Sequence, residues 1–291
     1  MNATLFLQSI ISGVLMGGIY ALLSVGFSLT WGVMRVINIA HASFGVVAAY
    51  GSYWALTLLK LDPLISLLPI VLLLFFLGMG LHRSVIQPIT RAREIMLASM
   101  VLTFGLAIIV ENTMLVIWSP DPRALTPVYS GRAILIGDLG LPLPQLIGFC
   151  LAIVGVFSIH LFLNHTHTGK AVQATWQDPE GAALVGINLQ RVSRITFGLA
   201  IASAGAGGVA MAMMYTFDPA MHNIWLIFVF LIVIVGGVGS VLGTAVAGLL
   251  VGIVTGLCMA FLPYHWINAI TFGFLILVLL VRPQGLFKTG L

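Results

Sequence analysis

The sequence predicts an all-α polytopic membrane protein, a bundle of about eight to ten transmembrane helices with a short helix on its cytoplasmic side. Three observations lead there. Of 291 residues only 12 are Lys or Arg and 8 are Asp or Glu, where a soluble chain at about 25% charged residues would carry roughly seventy. Hydrophobic residues make up 60% of the chain, more than one soluble core can use but enough for about nine helices of roughly 20 residues each. The apolar runs are also continuous, without the alternation of an outer-membrane barrel strand. Together these exclude a soluble enzyme, a disordered chain and, despite a pI near 9.3, a nucleic-acid binder.

Taken in order, the uncharged stretches give nine candidate spans: 9–33, 39–59, 64–82, 96–118, 144–163, 195–215, 224–240, 241–262 and 264–281. Met1 to Gln8 lacks the basic residues of a secretory signal, so the first run is expected to be a retained helix. Among all charged residues only Glu111 falls inside a span, as the cost of charge in hydrocarbon requires. Arg35, Arg83, Arg91, Arg93, Lys170, Arg191, Arg194, Arg282 and Lys288 lie on one side, against Lys60, Arg123 and Arg132 on the other. The richer side is expected to be cytoplasmic, with the N-terminus outside and the C-terminus inside. That tally holds if Gly236 to Gly243 is a cytoplasmic hairpin, and changes if it is a re-entrant turn.

Two connections are long. The outer one, 119–143, holds Pro120, Pro122, Pro127 and Pro142 and is therefore expected to be a loop. The cytoplasmic one, 164–194, contains Asp178-Pro179-Glu180: a capping residue, proline at the first helical position and an acid at the positive dipole end. Ala182-Ala183-Leu184-Val185 then continues an amphipathic helix that stops at Gly186. Too short to span, it is suited to docking. Cys150 and Cys258 sit in apolar runs, with no CxxC and no metal-ligand spacing. His165 and His167 read as a solvated pair.

Motifs of chemistry are mostly absent. Gly169-Lys170-Ala171 comes nearest to a P-loop, but Ala171 replaces the magnesium-binding hydroxyl and Asn164 the first glycine. The chain is expected to hydrolyse no ATP and to carry no cofactor or metal. Glu111 is the one candidate for ion or substrate coupling within the spans, the alternative being a structural pair. The polar stretch Asn38-Ile-Ala-His41-Ala-Ser43-Phe-Gly45 has two readings. It is either a discontinuous helix opening at membrane depth onto a substrate path, or a cytoplasmic turn capped by Asn38. Gly198, Ala202, Ala206 and Ala210, and likewise Gly243, Ala247, Gly252 and Gly256, form small-residue faces for close helix contact. Asn38–Gly51 and Gly237–Leu250 echo one another as interrupted segments.

Four segments carry a family resemblance: GGIYALLSVGFSLTWGVMRVINIAHASFGVVAAYGSY at 17–53, GKAVQATWQDPEGAALVGINLQRVSRITFGLAIASAGAGGVA at 169–210, GGVGSVLGTAVAGLLVGIV at 236–254 and LLVRPQGLF at 279–287. The chain resembles permease subunits of branched-chain amino acid ABC transporters, the first of the usual pair. Glu180, Ala182 and Gly186 match the family's Glu-Ala-Ala…Gly loop, which implies a coupling helix over 178–188, opened by Asp178, that docks on an ATPase subunit. Asn38 and His41 match the family's Asn-Phe-Ala-His-Gly-Glu segment, here with Ile39, Ala42 and Ser43 as departures, and the resemblance implies a substrate path along Asn38, His41, Ser43 and Gly45. Ser43 in place of the acid leaves urea, short amides or aromatic acids as alternatives to branched-chain amino acids.

The resemblance further implies one permease domain over 1–291 in a bacterial inner membrane, and a second, identical or homologous permease. It also implies ATP-binding subunits that use ATP and magnesium, and an external binding protein. A stand-alone ion-coupled transporter working through Glu111 and a non-transporting assembly protein are the competing classes.

Overall fold

The computed structural model describes residues 3–90, 92–263 and 265–287, so Arg91 and Lys288 of the charge tally lie outside the described residues. The helices are α1 (Ala3–Met34), α2 (His41–Leu59), α3 (Pro63–Leu81), α4 (Gln87–Ile89), α5 (Ile95–Trp118), α6 (Leu143–His165), α7 (His167–Gln177), α8 (Pro179–Leu184), α9 (Leu189–Ala212), α10 (His222–Gly236), α11 (Val241–Phe261) and α12 (Trp266–Val281). A π-helical stretch, His82–Ile86, joins α3 to α4. Eight helices among the described residues are long and apolar enough to cross a membrane, and α12 is a shorter apolar helix. All nine fall on the predicted spans.

α1 is the central post. Its N-terminal half packs on α11, where a Cβ at Gly13 would lie 2.6 Å from the Gly252 carbonyl oxygen and one at Gly17 would lie 2.5 Å from that of Gly248. Its C-terminal half packs on α9, with Leu23 against Gly207 and Gly26 against Ala200. The small-residue faces are used for packing, but on α9 not as the expected four-step row. On α9, Gly198 meets α3, Gly205 meets Leu74, Gly207 meets α1 and Gly208 meets Gly45 of α2. On α11 the face toward α1 is Gly248, Gly252 and Gly256. A helix that touches three neighbours spends its small residues in three directions.

These contacts fix direction. α1 and α11 are antiparallel, so Gly256 lies beside Ser9 and Gly239 beside Gly32. The Gly236–Gly243 stretch is a tight hairpin at the end that carries α7 and α8. Gly237 (φ +94°) and Gly239 (φ +86°) occupy conformations that side chains resist, and the Ser240 side chain accepts from the Gly243 N–H at 2.9 Å. Gly239 also donates to Ser28 Oγ at 3.0 Å and lies under the Trp176 ring of α7. The echo between 38–51 and 237–250 therefore differs in depth, since α2 starts level with Leu23 and the hairpin level with Gly32.

Two connections hold more structure than expected. The 119–143 loop contains β1 (Ala133–Ile136) and β2 (Leu139–Pro142), an antiparallel hairpin that Gln8 of α1 grips through both the N–H and the carbonyl of Gly140. Tyr129 in the same loop donates to Asp62 at 3.3 Å. Burial, followed by the Asp62 carboxylate, holds that phenol above its ordinary range. In 164–194, α7 forms because Thr166 accepts from the Gly169 N–H, and α9 begins at Leu189, capped by Asn188. Charge-based reading started that span at 195 because Arg191 and Arg194 occupy its first turns, which extend past the apolar segment.

Candidate functional site: a helix that starts inside the bundle and a capped helix outside it

α1 ends at Met34, and Arg35 in the left-handed region (φ +53°) turns the chain back. A non-glycine there costs on the order of 1–3 kcal/mol, and two backbone bonds compensate: Arg35 N–H to Trp31 at 3.1 Å and Val36 N–H to Thr30 at 3.4 Å. The segment 35–40 then runs without helix back along α1. α2 begins at His41, whose Nε2 lies 2.9 Å from the Leu23 carbonyl. Leu23 is about 16 Å of helix above Met34, at 1.5 Å per residue. α2 is therefore a helix that starts within the bundle.

Irregular backbone at membrane depth is tolerated only where protein groups satisfy it. Here α5 supplies them. Ser99 Oγ accepts from the Ile37 N–H at 3.1 Å, Thr103 Oγ1 accepts from the Ile39 N–H at 2.9 Å, and Thr103 donates back to the Ile37 carbonyl at 3.1 Å. The sequence reading missed both residues. Their signal was hydroxyls four apart on one face of an otherwise apolar helix.

All four predicted residues of this segment are found together. Asn38, His41 and Ser43 are wholly buried, and Asn38 Oδ1 and Nδ2, His41 Nδ1 and Ser43 Oγ are all without hydrogen-bond partners. Each such atom costs roughly 1–3 kcal/mol. The Leu23 carbonyl can only accept, so Nε2 of His41 carries the hydrogen and Nδ1 of the neutral ring is a bare acceptor. Phe27 meets that ring edge-on at 5.5 Å. Asn38 does not cap α2, because the N-cap is Ala40 with no side-chain bond. Gly45 is where α2 crosses α9, its Cβ position 3.1 Å from the Ala204 carbonyl and its own carbonyl against Gly208.

Glu111 stands apart. It lies two turns further along α5 than Thr103, about 12 Å, and toward the opposite end. Its carboxylate is 3.8 Å from His222 Nε2, with side-chain exposures of 24% and 3% respectively. His222 Nδ1 is 2.9 Å from the Pro219 carbonyl. His222 opens α10, so Glu111 meets a neighbouring helix.

At the other site, Asp178 Oδ1 accepts from the Gly181 N–H at 2.9 Å, a cap that contributes about 1 kcal/mol. Pro179 opens α8, Glu180 is exposed in its first turn, Ala182 is buried against the bundle, and Gly186 ends the turn at φ +88°. Leu184 and Val185 are left 88% and 78% exposed. Behind α8 is a cavity of about 630 Å³, lined by Arg35, His82, Gln87, Asp178, Glu180 and Gln190 among others. The same end carries Arg83, Arg93, Lys170, Arg191, Arg194 and Arg282, whereas Lys60, Arg123 and Arg132 lie at the other.

Comparison with known proteins agrees over almost the whole chain. The family described as branched-chain amino acid transport system / permease component matches residues 9–281. The high-affinity branched-chain amino acid transport system permease protein LivH of Salmonella typhimurium is 25% identical over 294 residues, covering 97% of this chain and 95% of the relative. BraD of Pseudomonas aeruginosa, described in the same words, is 25% identical over 295 residues with the same coverage. The autoinducer 2 import system permease protein LsrD of Escherichia coli is 31% identical over 161 residues, 52% of this chain and 47% of its own. No solved structure matches. With a multi-pass helical bundle matched along nearly all its length, the chain belongs to the branched-chain amino acid transport permease family and is a membrane transport subunit, not an enzyme.

Proposed function

We propose that this chain is the membrane-spanning subunit of an ATP-binding cassette importer for branched-chain or related amino acids, working by alternating access in a bacterial inner membrane. An external binding protein delivers ligand to the end carrying the β1–β2 hairpin. ATP-binding subunits dock at the α7–α8 end, and a second permease, identical or homologous, completes the pathway. The passage runs beside Asn38, His41 and Ser43, with Gly45 holding α2 close to α9. Glu111 with His222 braces α5 nearer the outer end.

One observation carries this reading: α8 is a capped helix too short to span, and its tip exposes Leu184 and Val185 to 88% and 78%. Two adjacent large apolar side chains at the tip of a capped helix outside the spans offer a partner groove apolar surface to bury. From α8 the mechanical route inward is short. α7 precedes it, and the Trp176 ring of α7 lies on Gly239 of the α10–α11 hairpin and near Gly32 of α1. A shift of α8 therefore reaches the central post and the hairpin.

The test is Leu184→Asp. Placing a charge in an apolar groove is expected to lower co-purification of the ATPase subunit at least tenfold, while the permease still accumulates in the membrane. Undiminished co-purification would remove α8 as the docking element.

A further inference from the structure

The polar groups at the start of α2 form a pattern beyond that of a lined passage. α2 has 19 residues and opens wholly inside the protein. An α-helix leaves its first N–H groups without intrahelical partners. The His41 N–H turns back to the Asn38 carbonyl at 3.0 Å and the Phe44 N–H makes the first helical bond, to Ala40. Among the described residues, the N–H groups of Ala42 and Ser43 find no acceptor, and no side chain caps the helix. In the first turn and in the segment just before it, the Ser43 hydroxyl and the Asn38 amide are each wholly buried and each without a partner, as is His41 Nδ1. The backbone donors, the hydroxyl and Asn38 Nδ2 thus belong to one helix end, where the dipole is positive.

Among the described residues no carboxylate answers that end. Among the described spans the one acid is Glu111, two turns further along α5 and already facing His222. Nor, among the described residues, does α2 carry a Lys or Arg, and the nearest arginine in sequence, Arg35, sits at the turn below it. Buried donors without a partner mark a place where another molecule supplies one, and a helix N-terminus at the centre of a bundle suits negative charge. We propose that the N-terminus of α2, with Asn38 and Ser43, is a transit subsite for the carboxylate of the transported ligand. This deepens the importer reading and rests on it.

The subsite has its own way of opening. The 35–40 segment is held on one side by Ser99 and Thr103, and α5, which carries them, keeps most of its surface outside the bundle. Movement of α5 would release that segment and admit a ligand without disturbing the α1–α9–α11 core.

The probes are acetate and acetamide, the smallest carboxylate and its neutral isostere, measured by ligand-detected NMR on the full chain in nanodiscs. Acetate is expected to give a binding signal at least fivefold above that of acetamide. That signal should fall at least fivefold in Asn38→Asp, where a second anion repels it, and at least threefold in Ser43→Ala. Equal signals from the two probes, or an acetate signal unchanged in Ser43→Ala, would overturn the subsite. If Asn38→Asp fails to fold, Ser43→Ala decides alone, since it adds no charge and removes one hydroxyl. The two claims fail separately: loss of the acetate result leaves ATPase docking at α8 standing, and normal co-purification in Leu184→Asp leaves acetate binding standing.

Discussion

Gly17→Leu should abolish accumulation of the folded protein. At this position α1 and α11 touch backbone to backbone, and a Cβ would lie 2.5 Å from the Gly248 carbonyl oxygen and 2.7 Å from the Leu249 Cα. Neither atom can rotate away. Ordinary overpacking costs about 1–3 kcal/mol because side chains adjust; here the helices themselves must separate, so the cost exceeds that range. Gly13 and Gly252 lie in the same seam, and small residues are what allow close packing where lipid gives helices no hydrophobic reason to associate. Gly105 is the control. It is also a mid-helix glycine, in α5, but nothing lies within 4 Å of its Cβ position, so Gly105→Leu should accumulate normally. Quantifying detergent-extracted monodisperse protein separates the two outcomes.

Glu180→Lys should leave insertion intact and lower uptake by the complete importer at least tenfold, equivalent to about 1.4 kcal/mol in docking. Glu180 is exposed in the first turn of α8, where an acid interacts favourably with the helix dipole by about 0.3–1 kcal/mol. A lysine inverts that sign, while the Asp178 cap and Pro179 remain to hold the helix. The α7–α8 end is already rich in Lys and Arg, so one more favours the same orientation. Normal uptake together with normal ATPase co-purification would sink the coupling role of this residue.

The spans were legible because charge is so costly in hydrocarbon that its absence outlines them; even α12 begins within two residues of its expected start. The start of α8 was legible to the residue, since Asp178 and Pro179 act locally through cap and φ, but the helix stops at Leu184, short of the expected 178–188, because Val185 and the left-handed Gly186 close it and Asn188 already caps α9. The start of α2 was only half legible. Asn38 and His41 announced something polar, but whether that meant a turn at the surface or a helix opening inside depended on distant residues. Ser99 and Thr103 on α5 satisfy the segment, and Gly208 on α9 lets Gly45 approach. For the same reason the glycine spacing on α9 announced tight packing but not which neighbour each glycine meets. α7 went unread because His167–Gln177 lacks an apolar run, and its stability comes from the Thr166 cap and from packing on α6.

On the proposed reading, this chain moves ligand only under the control of ATPases docked at the α7–α8 end. Proteoliposomes test it most directly: the chain reconstituted with or without its ATP-binding subunits, external binding protein present, and either ATP or an imposed ion gradient supplied. Uptake is expected only when the ATPases and ATP are both present, and the gradient alone should give none. Ligand uptake by the chain alone, driven by the gradient and lost on Glu111→Gln, would instead make this a self-sufficient ion-coupled transporter.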